Sequence, residues 1–348
     1  MSNTKGDKDQ TPISEIGKFG LISRITSNAS VKNKTTVSGV GDDAAVIDSG
    51  GLFTLVSTDL LLEGIHFNLV YTPLKHLGYK AIIRAISDIY AMNGTPEQVL
   101  VAIGVSSRFS VENIDELYRG IYMACNKYKV DLAGGDTSSS LTGLTISVTT
   151  TGSVGSDMIC RRNGAKPNDL ICVTGNFGAS FMGLRILERE RKLFEQDRNF
   201  EPSLTGYEYV IEKQLKPEFP SEIINDLRKA GILPSAMIDV SDGLASDLMH
   251  ICKLSDTGCR IFSNRIPIHD ETRRVSEEFH TDPLLPALNG GEDYELLFTV
   301  ALENSEKLKA VPAVKIIGHL TVPDQGYTLA GDDGSEIELK AQGWEKSK

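Results

Sequence analysis

The chain has 348 residues, 40% of them hydrophobic and 24% charged, with a formal net charge of -11. That length favours two domains over one, and the balance is that of an ordinary globular protein. The acidic excess argues against nonspecific binding to nucleic acid or to an anionic membrane, which reward basic patches, and anionic ligands would need metal ions or local positive groups.

Residues 1–12 read as a flexible, polar N-terminal segment without the apolar core of a signal peptide. A first α/β region follows over 13–155, with strands expected at Leu52 to Thr58, Gln98 to Val105 and Thr145 to Val154. Helical spacing covers Leu77 to Met92 and Val111 to Lys127. In the second of these, Ile114, Leu117, Ile121 and Cys125 share one face, and Ser110 stands at the N-cap. The turn-rich GSDMICRRNGAKPND marks a domain junction, and a second region runs over 156–348. Its strands are expected at Leu170 to Thr174, Ala236 to Val240, Tyr294 to Val300 and Val314 to Gly318. Helices are expected near Phe177 to Glu190, Glu222 to Lys229 and Leu244 to Leu254, with Ser221 and Gly231 as caps of the middle one. Strands and helices alternate too irregularly to decide between one doubly wound sheet and mixed α+β layers. No run reaches membrane-spanning length. The five cysteines, Cys125, Cys160, Cys172, Cys252 and Cys259, form no CxxC pair, which predicts free thiols in a reducing cytoplasm and no zinc site.

No GxxxxGK[ST] P-loop, protein-kinase catalytic loop or dinucleotide fingerprint is present; TGNFGAS at Thr174 is a strand-to-helix turn that could offer backbone amides to phosphate. Acidic residues at the ends of apolar runs are more informative. They are Asp42 and Asp43 in GVGDDAAV, Asp59, Asp88, Asp136, Asp239 and Asp242 in MIDVSDG, and Glu292 and Asp293 in GGEDYELLF. Taken singly, Asp42 and Asp43 could make a turn, Ser241 and Asp242 could cap a helix, and Asp88 could pair with Arg84. Six such clusters are hard to assign to capping alone, and strand ends are where α/β proteins gather ligand groups. Converging carboxylates demand hard cations, and the hydroxyls of Ser57 and Thr58, without a cysteine or histidine cluster, favour magnesium over zinc. Several magnesium ions suggest phosphoryl chemistry.

The ordered segments FGLI at Phe19, GDDAAV at Gly41, STDLLLEGIHF at Ser57, SDIYAMNG at Ser87, GGDT at Gly134, RNGAKPND at Arg162, DVSDGL at Asp239 and GGEDYELLF at Gly290 cover nearly the whole chain. On them the sequence resembles the thiamine-monophosphate kinases, within the aminoimidazole ribonucleotide synthetase-like superfamily. The resemblance implies a mixed α/β and α+β two-domain fold: an N-terminal α/β domain whose sheet forms a homodimer, and a C-terminal α+β domain. It implies transfer of the γ-phosphoryl group of ATP to thiamine monophosphate, while the charge, cysteine usage and hydropathy predict a cytoplasmic protein with no nucleic-acid or membrane partner. It further implies magnesium ligands at Asp43, Ser57, Thr58, Asp59, Asp88, Asp136, Asp239 and Asp242. ATP contacts are implied at Tyr118, Gly135, Asp136, Arg162 and Ser241, and thiamine contacts at His66, Glu292 and the single tryptophan, Trp344. No residue is implied as a general base; a potassium requirement is left open. Lys18 stands where that family often carries Glu, Arg84 is unusual in the SDIY helix and reads as a salt-bridge partner, and the GWEKSK tail lacks the usual His-Phe ending. The alternatives are another ATP-using enzyme of the superfamily and a non-catalytic nucleotide-binding scaffold.

Overall fold

Alternating burial along Thr145–Gly155 and one long buried helix, Leu74–Ala91, organise the computed structural model, which describes residues 13–341. Residues 1–12 and Trp344 lie outside the described residues. Strands β1 (Thr36–Ser38), β2 (Ala45–Asp48), β3 (Leu52–Leu62), β4 (Thr95–Val105), β5 (Asp131–Ser139) and β6 (Thr145–Gly155) form one sheet in the order β1-β2-β3-β6-β4-β5. Strands β7 (Leu170–Val173), β8 (Ala236–Asp239), β9 (Gly258–Phe262), β10 (Leu296–Val300), β11 (Lys315–Thr321), β12 (Tyr327–Ala330) and β13 (Glu336–Glu338) form a second, ordered β13-β12-β9-β11-β7-β10-β8. The helices are α1 (Ile13–Thr26), α2 (Leu74–Ala91), α3 (Val111–Tyr128), α4 (Ala179–Gln196), α5 (Glu208–Leu215), α6 (Glu222–Lys229), α7 (Leu244–Ser255), α8 (Asp270–Glu278), α9 (Leu284–Asn289) and α10 (Ser305–Leu308).

Two sheets, each antiparallel except for one parallel pair (β4 with β5, β12 with β9), answer the open question in favour of mixed layers. The β4–β5 pair is parallel because α3 carries the chain between them, and Ser110 caps α3 as expected, accepting the Asn113 amide at 3.4 Å. The other expected cap differs: Ser221 stands before α6 but its side chain makes no cap bond.

Helix α2 lies between the sheets, packing on β3, β4 and β6 on one side and on β8 on the other. Residues from both sheets therefore share one apolar core, in which Ile83 and Ile86 of α2, Val101 of β4 and Phe298 of β10 are all sealed from solvent. Such burial around most of a helix fits one packed between layers, its apolar residues Leu77, Ile82, Ile83, Ile86 and Ile89 spread around the axis. Helix α3 covers α2 so closely that a Cβ on Gly78 would lie 2.0 Å from the Leu117 carbonyl oxygen, and one on Gly120 1.8 Å from that of Lys75. These two glycines set the interhelix distance. All five cysteines are free and buried, and no helix among the described residues is long and apolar enough to cross a membrane.

Candidate active site

The polar residues of α2 break its apolar surface along one stripe. Lys80, Arg84 and Asp88 recur every four residues, with Ser87 beside the last, so they stack on one helix face. Strand β3 meets that face with Ser57 and Asp59, which two-residue alternation places on the same side as the buried Leu55 and Leu61. The end of β8 brings Asp239, and the loop before β2 brings Asp43.

Three carboxylates converge. Oxygen atoms of Asp43, Asp88 and Asp239 all lie within 4.8 Å of one another. Each has a polar anchor: the Arg162 guanidinium donates to Asp43 at 2.5 Å, Ser87 Oγ donates to Asp239 at 2.7 Å, and Ser57 Oγ donates to Asp88. Burial pushes Asp88 well above the usual carboxylate range, reinforced by the negative charges of Asp59, Asp239 and Asp43. Burial and Asp43 push Asp239 up to about 7. Asp43 is raised by burial against the opposing pull of Arg162. Beside it, burial and the Asp43 charge raise Asp42 to about 6, while its Oδ1 accepts the backbone amides of Asp43 and Arg162, both at 3.1 Å. The two adjacent carboxylates thus divide their work, Asp42 holding the loop and Asp43 facing the cluster.

Asp59 stands next to this group, with Oδ1 accepting Arg84 Nε at 2.8 Å. Its Oδ2 and that of Asp43 are buried without a hydrogen-bond partner in the structure. Orphaned anionic oxygens are costly in a protein interior. An all-oxygen donor set with two such atoms fits a hard divalent cation such as magnesium.

The remaining acidic positions fall elsewhere. Asp242 is held by Lys18 of α1 through both oxygens, at 2.8 and 2.7 Å. Neither Ser241 nor Asp242 caps α7, whose N-cap position is Gly243 without a side-chain bond. Asp247 reaches back instead, one Oδ2 accepting the amides of Ser241, Asp242 and Gly243 at 3.1, 3.2 and 3.1 Å. Thr58 points to the opposite sheet face, its hydroxyl 3.1 Å from that of Thr149. Asp136 is exposed on edge strand β5, paired in register with Ala102, and the structure does not bring it to the trio. Gly135 has no room for a side chain, since a Cβ would lie 1.8 Å from the Val101 carbonyl oxygen. Tyr118 packs half-buried on α3, its ring centroid 6.2 Å from that of Tyr122. Arg84 pairs with Asp59 rather than with Asp88.

Beyond Arg84 lies a second corner of the site. Glu292 accepts Lys80 Nζ at 2.8 Å and has Arg84 Nη1 at 3.8 Å. Burial alone would raise this carboxyl, but the charge of Lys80, its hydrogen bond and Arg84 outweigh it and leave Glu292 lowered and ionised. Its backbone is left-handed, with φ 56°, as is that of Tyr294 at 50°, a strained geometry that turns the GGEDYELLF loop toward α2. Glu292 and His66 line a cavity of about 440 Å³ together with Phe67, Asn68, Tyr71 and Phe181. His66 Nδ1 accepts the Leu62 amide at 3.0 Å, which places its proton on Nε2; burial and Arg84 lower its pKa and keep the ring neutral.

Residues 41–154 match the family described as AIR synthase related protein, N-terminal domain. The thiamine-monophosphate kinase of Buchnera aphidicola subsp. Schizaphis graminum is 36% identical over 90% of this chain and 94% of its own length. That of Bacillus subtilis is 33% identical over 95% of this chain and 99% of its own. The chain belongs to the thiamine-monophosphate kinase family. The solved structure of AaThiL complexed with AMPPCP and TMP superposes with a TM-score of 0.81 at 29% identity, covering 97% of this chain and 99% of that one. The family fold and the mixed α/β character expected from the motifs are both present.

Three site residues lacked a role in the sequence reading. Lys80 and Ser87 were legible as polar interruptions of an apolar helix at four- and three-residue spacing around Arg84. Asp247 had only its place four residues after Gly243 as a signal.

Proposed function

We propose that this thiamine-phosphate kinase transfers the γ-phosphoryl group of ATP in line to the phosphate of thiamine monophosphate, releasing ADP. A phosphate oxygen of the acceptor forms the new P–O bond as the bond to the β-phosphate oxygen breaks. The observation that carries the reading is the side-by-side placement of an orphaned carboxylate cluster and an ionised Glu292 lining a cavity. The first suits the polyphosphate through a cation and the second suits a cationic ring, so donor and acceptor ends have separate, oppositely tuned places.

Asp43, Asp59, Asp88 and Asp239 would hold magnesium, which supplies positive charge to the phosphates when bound. Asp242 and Ser57 complete the ligand set once Lys18 and Asp88 release them. Arg162 turns from Asp43 to the nucleotide, with Ser241, Tyr118 and Gly135 as further nucleotide contacts. His66 would donate from Nε2 toward the thiamine end, which Trp344 would also contact. Because attacker and target are both anionic, positioning and charge neutralisation outweigh any general base. Thr58 and Asp136 share the outer face of the first sheet with the exposed Leu52, Leu60 and Leu100. A homodimer formed through that face would give both residues a setting the single chain lacks, and 13–155 and 156–348 would be its two domains.

Incubating the full chain with ATP, magnesium and thiamine monophosphate, then separating products by chromatography, tests the reading. Thiamine diphosphate equal in amount to ADP is expected. Phosphate release without thiamine diphosphate, or a product only from free thiamine, would refute it.

A further inference from the structure

Arg84 lies one helical turn after Lys80 and one before Asp88, between the carboxylate trio and the cavity. Its Nε donates to Asp59 at 2.8 Å, and its Nη1 stands 3.8 Å from Glu292, beyond hydrogen-bond range. Among the described residues, neither Nη group makes a hydrogen bond. The side chain is 22% exposed and its Nη groups are not among the buried unpartnered atoms, so a ligand can reach them. One bond to Asp59 therefore fixes the guanidinium plane and leaves four of its five N–H donors unspent, beside the path from Asp59 to Glu292. Lys80 offers nothing comparable, because it is buried and committed to the Gln214 carbonyl at 2.9 Å and Glu292 at 2.8 Å.

We infer that Arg84 is the acceptor-phosphate clamp, binding two oxygens of the substrate monophosphate through its Nη groups and so selecting the phosphorylated substrate over the free alcohol. The inference rests on the proposed function, since it takes the cationic end of the acceptor to lie at Glu292 and its phosphate to point toward the carboxylate cluster. A planar guanidinium matches two phosphate oxygens in a fork, which an ammonium cannot reproduce. An alcohol offers neither the second oxygen nor the charge. Arg84 then has a task that lowers the repulsion between acceptor and donor phosphates without touching the nucleotide.

The test compares wild type, Arg84→Ala and Arg84→Lys by calorimetric titration of the full chain, in magnesium and a non-hydrolysable ATP analogue, with thiamine monophosphate and separately with thiamine. Wild type is expected to prefer the monophosphate. Arg84→Ala should weaken monophosphate binding at least about tenfold and leave thiamine binding within about twofold, while Arg84→Lys recovers only part. In turnover, KM for thiamine monophosphate should rise and KM for ATP should stay. Equal losses for both ligands would assign Arg84 a merely structural role through Glu292 and overturn the inference. Unchanged binding of the monophosphate would overturn it too. If wild type itself yields no thiamine diphosphate, the proposed function fails and takes this inference with it; if wild type reacts and the preference survives in Arg84→Ala, this inference alone fails.

Discussion

The two carboxylate groups flanking Arg84 are built from the same chemistry and tuned in opposite directions. At Asp43, Asp88 and Asp239, buried anions face one another, their pKa values are raised, and one oxygen is left without a partner. At Glu292 the carboxylate sits between Lys80 and Arg84 and its pKa is lowered. The first arrangement keeps protons unless a cation replaces them. The second has its cations built in and keeps a fixed negative charge beside a cavity. Helix α2 supplies groups to both corners, so one rigid element sets the distance between them.

Removing a member of the first group should give the largest effect. Asp88→Asn is expected to lower kcat by at least about a hundredfold with an unchanged circular-dichroism melt, as for loss of a transition-state charge contact. A near-normal rate would remove Asp88 from the site and erase the contrast with Glu292.

The pH dependence of stability sharpens it next. Asp239, raised to about 7, holds its proton in the folded chain where the unfolded carboxyl, near about 3.9, has lost it. Between those values the folded state binds more protons, so without metal its contribution falls as pH rises, by about 2 kcal/mol from pH 5 to 7. Magnesium binds the ionised form, and its stabilising shift in Tm should grow over the same window. Thermal melts of wild type against Asp239→Asn, with and without magnesium, check this: the variant should show a shallower slope, the remainder coming from the raised carboxyls of Asp42, Asp43 and Asp88. A slope of the opposite sign would contradict the assignment.

Glu292→Gln removes the charge of the second group and keeps its shape. KM for thiamine monophosphate is expected to rise about tenfold, with KM for ATP nearly constant. Parallel changes in both constants would mean that the corners are not separable. As a control away from both, Ser110→Ala should cost about 1 kcal/mol of stability by loss of the α3 cap and leave turnover unaltered.

How legible this was depends on what kind of force shaped each part. Helices α2 and α3 and strands β3, β4 and β6 were readable because burial on defined faces imposes a period on the sequence. Strand β5 was not, since its polar and glycine-rich DLAGGDTSS pairs through its backbone at the sheet edge and leaves its side chains exposed. The acidic motifs announced a cluster, and the structure joins three of them. Thr58 stands on the other sheet face because a one-residue step along a strand reverses the face, a difference that motif matching does not register. Arg84 reads from the sequence as a salt-bridge partner, but its partner is Asp59 on another element, and only three-dimensional packing sets that choice.

Crystals grown with manganese, a non-hydrolysable ATP analogue and thiamine monophosphate test the central claim most directly, through anomalous scattering from the metal. A peak about 2.0–2.2 Å from oxygens of Asp43, Asp88 and Asp239, with none at Glu292, is predicted. Absence of metal between the three, or metal bound at Glu292, would contradict the division of the two carboxylate groups.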